Sequence, residues 1–161
     1  MINVKMEDPV KEAFMLFMQT SNAVQKFSDS LFYRRSKLST SKFAVLQILD
    51  ESDGRMTPSE ISRWILRERH NVTTLVARMK REGLVEVEPS TTDRRSVNII
   101  LTDKGREKLE QATPVAQEIV EKVMKSVGDR SLNSIMKSMG ILRQNAYDGM
   151  AALADEKKRK K

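Results

Sequence analysis

The chain has 161 residues, of which 39% are hydrophobic and 32% charged, so it is long enough for one globular domain with an attached helical element. It contains no cysteine, one histidine and no apolar run near the roughly 20 residues of a membrane span, which excludes disulfides, thiolate chemistry and a zinc cluster of cysteines and histidines. The net charge of +7 is concentrated in residues 55–106, with eleven basic against seven acidic side chains, and in the last seven residues. A polyanion-binding surface would carry such an excess, although a mildly basic solvated face fits the charge alone equally well.

The first 54 residues carry the signals of two helices. Asp8 followed by Pro9 is typical of a helix N-cap, and apolar residues then recur at spacings of three and four. Ser39 or Thr40 caps a second helix, which Gly54 ends. We therefore expect a long amphipathic helix followed by a shorter one.

Residues 57–101 indicate two further helices and a β-hairpin. Thr57-Pro58-Ser59-Glu60 has the residues of a capping box with proline at the first helical position, which predicts a short helix over 58–66. A helix over 69–82 follows and ends at a glycine. Apolar and polar residues then alternate on both sides of a polar loop tipped with arginines, which predicts a two-stranded hairpin.

The remainder of the chain predicts two long helices. Thr102 caps the first, whose apolar stripe runs to Val127 and is interrupted by Pro114, so we expect a bend or a local defect there. Gly128 is typical of a stop before a new cap, and a last helix follows. Residues 155–161 are expected to form a basic, disordered tail.

The order helix, short helix, helix, hairpin is that of a winged helix-turn-helix, whose last helix enters the major groove of DNA. The apolar residues of the helix over 69–82 share one face, so its opposite face lies outward, where side chains can contact base edges or phosphates. Any one of these side chains alone is more typical of a solvated helix face, but the winged-helix topology around them favours contact with DNA. The predicted contacts from this helix are Arg69, His70, Asn71, Thr73, Thr74, Ala77, Arg78 and Arg81.

Two other segments are predicted to contact the DNA backbone. Thr40 and Lys42 place a hydroxyl and a cation at a helix N-terminus, which suits a phosphate, although plain capping explains the hydroxyl equally well. Arg94 at the hairpin tip suits insertion into a narrow minor groove. Arg95 is either a phosphate contact or the ion-pair partner of Asp93.

Five short motifs carry a resemblance to a known family: Thr57-Pro58-Ser59-Glu60-Ile61, Val72-Thr73-Thr74-Leu75-Val76, Gly83-Leu84-Val85, Asp93-Arg94-Arg95 and Leu101-Thr102-Asp103-Lys104-Gly105. On these motifs the chain resembles the MarR family of bacterial and archaeal transcription regulators. The resemblance implies a homodimer in which the first and last two helices intertwine, and a palindromic operator. It also implies a small, often phenolic, anionic effector in a cleft between the dimerisation and DNA-binding parts.

The chain departs from the family at two positions before the recognition helix. Leu66 stands where the family usually has glycine, and Glu68 stands where it usually has a capping serine. A carboxylate at Glu68 can still cap the helix, but it would repel a nearby phosphate unless an adjacent arginine neutralises it. Neither departure is expected to prevent the chain from adopting the fold.

No residue identifies an effector, although several could line its cleft. Methionines offer an adaptable lining, but ordinary core packing explains them as well. The candidates are Met15, Met18, Phe32, Tyr33 and Trp64.

The sequence thus predicts a mostly α-helical fold with a small β-hairpin wing. Residues 1–35 and 102–154 form a helical dimerisation region, because their apolar stripes are more than one winged helix can bury, and residues 36–101 form the winged helix-turn-helix domain. We expect a cytoplasmic, homodimeric repressor that binds double-stranded DNA, with no cofactor, no metal, no catalytic residue and no membrane contact. The alternatives are a winged-helix protein-interaction or architectural module without operator specificity, and an enzyme, for which no catalytic constellation is present.

Overall fold

The computed structural model describes residues 8–90 and 96–159, which form six helices and three strands in the order expected for a winged helix. The first compact unit ends at Val123 and the second comprises the residues that follow. Within the described ranges, no helix is long and apolar enough to cross a membrane. The elements are α1 (Pro9–Ser36), α2 (Thr40–Glu51), β1 (Arg55–Met56), α3 (Pro58–Trp64), α4 (Arg69–Arg81), β2 (Val85–Pro89), β3 (Val97–Leu101), α5 (Asp103–Val123) and α6 (Asp129–Arg159).

The helix starts follow the local capping signals of the sequence. The Asp8 carboxylate accepts hydrogen bonds from the first-turn N–H groups of α1, and the Ser39 hydroxyl accepts one from the Lys42 N–H. Thr57 and Glu60 form the predicted capping box at the start of α3, with each side chain accepting from the other's backbone N–H. These contacts satisfy N–H groups that have no partner inside a helix, so the predicted starts are confirmed.

The hydrophobic core of the first unit is built around α2. Val45, Leu46, Ile48 and Leu49 of this helix are almost wholly buried. Inward-facing side chains of α3, α4, β3 and α5 join the same cluster. The core therefore holds α4 by its apolar face and leaves the opposite face to solvent.

The sheet has three strands in the order β1-β3-β2, all antiparallel, whereas the sequence predicted a two-stranded hairpin. Val85 pairs with Leu101 in the expected hairpin, and Arg55 pairs with Ile100 to add the third strand. The prediction missed β1 because two residues are too few to show alternation, and their partner strand lies far along the chain.

The C-terminal helices also differ from the prediction in their ends. α5 runs through Pro114 without interruption and ends at Val123, four residues before Val127, with Ser126 at φ +67° in the turn that follows. α6 continues through Arg159, five residues into the segment for which the sequence predicts a disordered tail. Residues 155–159 are all charged, and the glutamate, lysine and arginine residues among them have high helix propensity, which favours continuation.

Candidate nucleic-acid interface

α4 presents an exposed polar face directly opposite its buried apolar stripe. Val72, Val76 and Met79 are buried, and Leu75 is half-buried. The eight residues that the sequence predicts to contact DNA from this helix are all exposed: Arg69, His70, Asn71, Thr73, Thr74, Ala77, Arg78 and Arg81. The structure thus places them on one continuous solvent-facing surface.

The two threonines of this face are bonded to their own helix. The Thr73 hydroxyl donates to the Arg69 carbonyl at 3.0 Å, and the Thr74 hydroxyl donates to the His70 carbonyl at 3.1 Å. Each oxygen keeps its lone pairs free to accept a hydrogen bond from a base amino group. These bonds also hold the two side chains in defined rotamers.

The turn before α4 contains an unusual backbone conformation. Leu66 has φ +51°, the left-handed region that favours glycine. The turn is held by the Ser62 hydroxyl, which donates to the Arg67 carbonyl at 2.6 Å, and by the Arg67 N–H, which donates to the Ser62 carbonyl at 3.1 Å. Leu66 therefore adopts the conformation for which glycine is the usual residue.

The N-cap of α4 is Glu68, whose side chain makes no capping hydrogen bond. The sequence left open that its carboxylate caps the helix, and the structure shows that it does not. The first N–H groups of α4 therefore stay available at a helix end with a partial positive charge. An exposed carboxylate remains at the same place.

The C-terminal end of α4 is fixed by two lysines. The Glu82 carboxylate accepts from the Lys42 ammonium at 2.6 and 2.7 Å, and the Glu82 carbonyl accepts from the Lys104 ammonium at 2.7 Å. The Lys42 side chain is only 16% exposed. Lys42, whose contact with DNA stays a prediction, is bound to this carboxylate and ties α2 to the end of α4.

Thr40 is likewise engaged inside the protein. Its hydroxyl and its N–H both donate to Asp29 Oδ1 of α1, at 2.5 and 3.0 Å, and the Gln25 amide donates to Oδ2 at 2.9 Å. Partial burial opposes ionisation of Asp29, but these hydrogen bonds and the nearby Arg67 guanidinium outweigh it and lower the pKa of the carboxyl. Sequence reasoning missed Asp29 because no local motif marks a carboxylate that binds eleven residues away.

The start of α5 packs against the chain that leaves α4. The Thr102 hydroxyl donates to the Gly83 carbonyl at 2.8 Å and accepts from the Gly105 N–H at 3.0 Å. A Cβ on Gly105 would lie 2.1 Å from the Leu84 carbonyl oxygen. This close approach explains the glycine of the Leu-Thr-x-x-Gly motif.

The predicted wing arginines, Arg94 and Arg95, lie outside the described residues, and so does Asp93. Two ion pairs join elements of the same unit. Arg55 of β1 lies 3.9 Å from Glu88 of β2, and Arg106 of α5 is bound to Asp50 of α2.

The residues predicted to line an effector cleft are not brought together. Phe32 is buried and packs on Phe43 with ring centroids 4.8 Å apart, whereas Tyr33 and Trp64 are exposed. Met15 and Met18 are partly exposed on α1. Phe32, near the end of α1, fills the core instead, because its ring packs on Phe43 of α2.

The structure has a different cavity, of about 620 Å³, between α2 and α5. Apolar groups form part of its wall, and amide, hydroxyl and carboxylate groups the rest. The lining residues are Phe43, Gln47, Leu109, Thr113, Ala116, Gln117, Val120 and Glu121. In the sequence, the apolar members of this lining belong to helical stripes that core packing would also produce, and nothing marks the polar members.

Known proteins agree with this architecture. The sequence model of the MarR family matches residues 36–96. The transcriptional activatory protein BadR of Rhodopseudomonas palustris is 30% identical, over 95% of this chain and 86% of its own. The HTH-type transcriptional repressor YetL of Bacillus subtilis is 29% identical, over 81% of this chain and 78% of its own.

Two solved structures have the same fold at lower identity. Sco3205, a MarR family regulator from Streptomyces coelicolor solved in complex with DNA, superposes with a TM-score of 0.81 at 20% identity, covering 89% of this chain and 92% of its own. Bordetella bronchiseptica BpsR, whose DNA binding is regulated by 6-hydroxynicotinic acid, gives 0.75 at 20% identity, covering 88% and 98%.

Proposed function

Because the chain belongs to the MarR family of winged helix-turn-helix transcription regulators, we propose that it is a homodimeric repressor that binds a palindromic operator in double-stranded DNA. The family consists of transcription regulators and not of enzymes. The observation that carries the proposal is the continuous exposed face of α4, with hydrogen-bonding groups opposite a buried apolar stripe. Such a helix suits the major groove.

The proposed contacts divide by chemistry. His70, Asn71, Thr73 and Thr74 carry groups that exchange hydrogen bonds with base edges, and the small Ala77 lets the helix lie deep in the groove. Cations at the ends of α4 and at the wing tip bind phosphates or the minor groove. The proposed phosphate and minor-groove contacts are Arg69, Arg78, Arg81, Arg94 and Arg95.

The homodimer is supported by apolar side chains that a single protomer leaves in solvent. α1 exposes Phe14, Met15 and Leu16, and α6 exposes Met136 and other large apolar residues along its length. Contiguous exposed apolar surface of this kind marks an association site. The proposed dimerisation region remains residues 1–35 and 102–154.

An effector is proposed to bind in the cavity between α2 and α5. Its volume suits a small molecule, and its apolar walls with amide, hydroxyl and carboxylate groups suit a flat aromatic compound with hydrogen-bonding substituents. The regulation of BpsR by an aromatic acid is in line with this proposal. A ligand there would contact Phe43 of α2, which is next to Lys42, the residue that binds Glu82 at the end of α4.

Footprinting on the DNA upstream of the protein's own gene tests the function. The expected result is protection of an imperfect palindrome over about two helical turns, with half-sites ~34 Å apart on one face. An asymmetric footprint would contradict the two-fold arrangement. Equal affinity for promoter and random DNA at every salt concentration would instead favour an architectural module.

A further inference from the structure

A second cavity, of about 320 Å³, lies between the N-terminal end of α2 and one flank of α4. The α4 residues in its wall are spaced three and four apart, so they share the flank that faces α2. Thr74 belongs both to this wall and to the proposed groove face. The lining residues are Ser39, Ser41, Arg67, Asn71, Thr74, Leu75 and Arg78.

The charged groups of this lining are two guanidinium groups, and no carboxylate is among them. Within the described ranges, Arg78 forms no ion pair. The charge of Arg67 lowers the pKa of Asp29, but within the described ranges no carboxylate oxygen lies within 4 Å of the Arg67 guanidinium. Two like charges that face one cavity favour an anion that neutralises both.

The backbone at the start of α2 offers a further donor. The Thr40 N–H donates to Asp29 and the Lys42 N–H donates to Ser39, whereas the Ser41 N–H between them has no acceptor in the part of the chain that the structure describes. A free N–H in the first turn of a helix is a favourable contact for an anion.

We propose that this cavity binds one phosphate of the DNA backbone, held jointly by Arg67 and Arg78. The proposal rests on the proposed function, because the phosphate belongs to a strand that borders the groove entered by α4. The shared position of Thr74 makes the phosphate contact continuous with the base contacts. Arg67, which no sequence motif singled out, becomes a DNA-binding residue.

The salt dependence of binding to a random-sequence duplex tests the proposal. The variants are Arg67→Gln, Arg78→Gln and the double variant, with Arg143→Gln of α6 as the control of equal charge. Each single variant is expected to bind about tenfold more weakly with a nearly unchanged salt slope, because the remaining guanidinium still neutralises the phosphate. The double variant is expected to lose about one unit of slope for each protomer in contact.

Three outcomes would overturn the proposal. A loss of about one unit of slope for each protomer in contact, already in each single variant, would mean that the two arginines bind two separate phosphates. Unchanged affinity in the double variant would mean that the site is not used. Equal weakening by Arg143→Gln would mean that only net charge matters.

A charge-conserving variant separates binding from folding. The double variant Arg67→Lys with Arg78→Lys is expected to keep the wild-type slope and to lose affinity, since an ammonium cannot make the bidentate contact. If it loses slope as the glutamine variant does while its thermal unfolding is unchanged, charge at these positions is not what binds DNA.

A free anion is tested separately as the ligand. Inorganic phosphate, added at constant ionic strength, is expected to leave duplex binding close to its value in chloride. If low millimolar phosphate releases DNA from the wild type but not from the double variant, the cavity binds a small free anion instead. Binding to a random duplex requires no operator. The absence of a palindromic footprint would therefore contradict the proposed function and leave the salt-slope result for the cavity unaffected.

Discussion

Leu66 holds a backbone conformation that residues with a Cβ rarely adopt, in the turn that delivers the recognition helix. The left-handed region costs a non-glycine residue about 1–2 kcal/mol. The side chain is mostly exposed, so burial returns little of that cost. The turn persists because Ser62 binds the backbone of Arg67 on the far side of it.

Replacing Leu66 with glycine is expected to stabilise the protein. Relief of the backbone strain exceeds the added entropy of the unfolded chain, and the net gain is about 0.5–1 kcal/mol in the free energy of unfolding. Urea unfolding measures it, with Leu66→Ala as the control that removes the side chain and keeps the Cβ. Equal destabilisation by both substitutions would mean that the leucine side chain, and not φ, matters.

Arg94 and Thr74 are expected to contribute in different ways to DNA binding. Arg94→Ala should weaken operator and random DNA together and lower the salt slope by about one unit for each protomer in contact, because it removes a charge contact. Thr74→Ala should weaken only the operator, by about 1–3 kcal/mol, because it removes a base contact. Binding isotherms on both duplexes at several salt concentrations measure this. An unchanged slope for Arg94→Ala would refute the wing assignment.

At the scale of elements, the sequence predicts those helix starts whose capping contacts lie within one helical turn. The N-caps at Asp8 and Thr57 follow from side chains two or three residues from the N–H groups that they bind. The fate of Thr40 and Lys42 could not be predicted, since their partners Asp29 and Glu82 lie 11 and 40 residues away. The residue types at the start of α2 indicate a phosphate contact. In the folded chain, Thr40 and Lys42 also bind side chains of other helices, which the local sequence does not reveal.

The Asp29 carboxylate joins α1 to the start of α2, which makes the stability of the protein depend on pH. Its pKa is lower in the folded than in the unfolded protein, so the stability that it contributes is complete above the unfolded value of about 3.8 and is lost as the pH falls towards the folded pKa. Asp29→Asn is expected to remove that part of the acid dependence. Urea unfolding between pH 3 and pH 6 measures it, with Asp103→Asn of α5 as the control. Parallel pH profiles for wild type and Asp29→Asn would show that the link is not electrostatic.

At the scale of the whole molecule, the exposed apolar residues of α1 and α6 predict an obligate dimer. An intertwined interface would bury more than about 2,000 Å² and leave no stable folded monomer. Sedimentation at micromolar concentration is expected to show only the dimer for the wild type. Met136→Lys with Met150→Lys in α6 should shift the population towards unfolded chains. A folded wild-type monomer would contradict the prediction.

The position of the single histidine has a practical consequence for spectroscopy. His70 lies exposed on the groove face of α4, and the sequence holds no second imidazole. Isotope labelling of histidine alone would therefore give the signals of one ring per protomer, at the proposed contact with DNA, without any substitution. In a symmetric dimer the two rings are equivalent and give one set of ring resonances. An imperfect palindrome would split each of these resonances in two, so a spectrum of the bound state would read out the asymmetry of the operator directly.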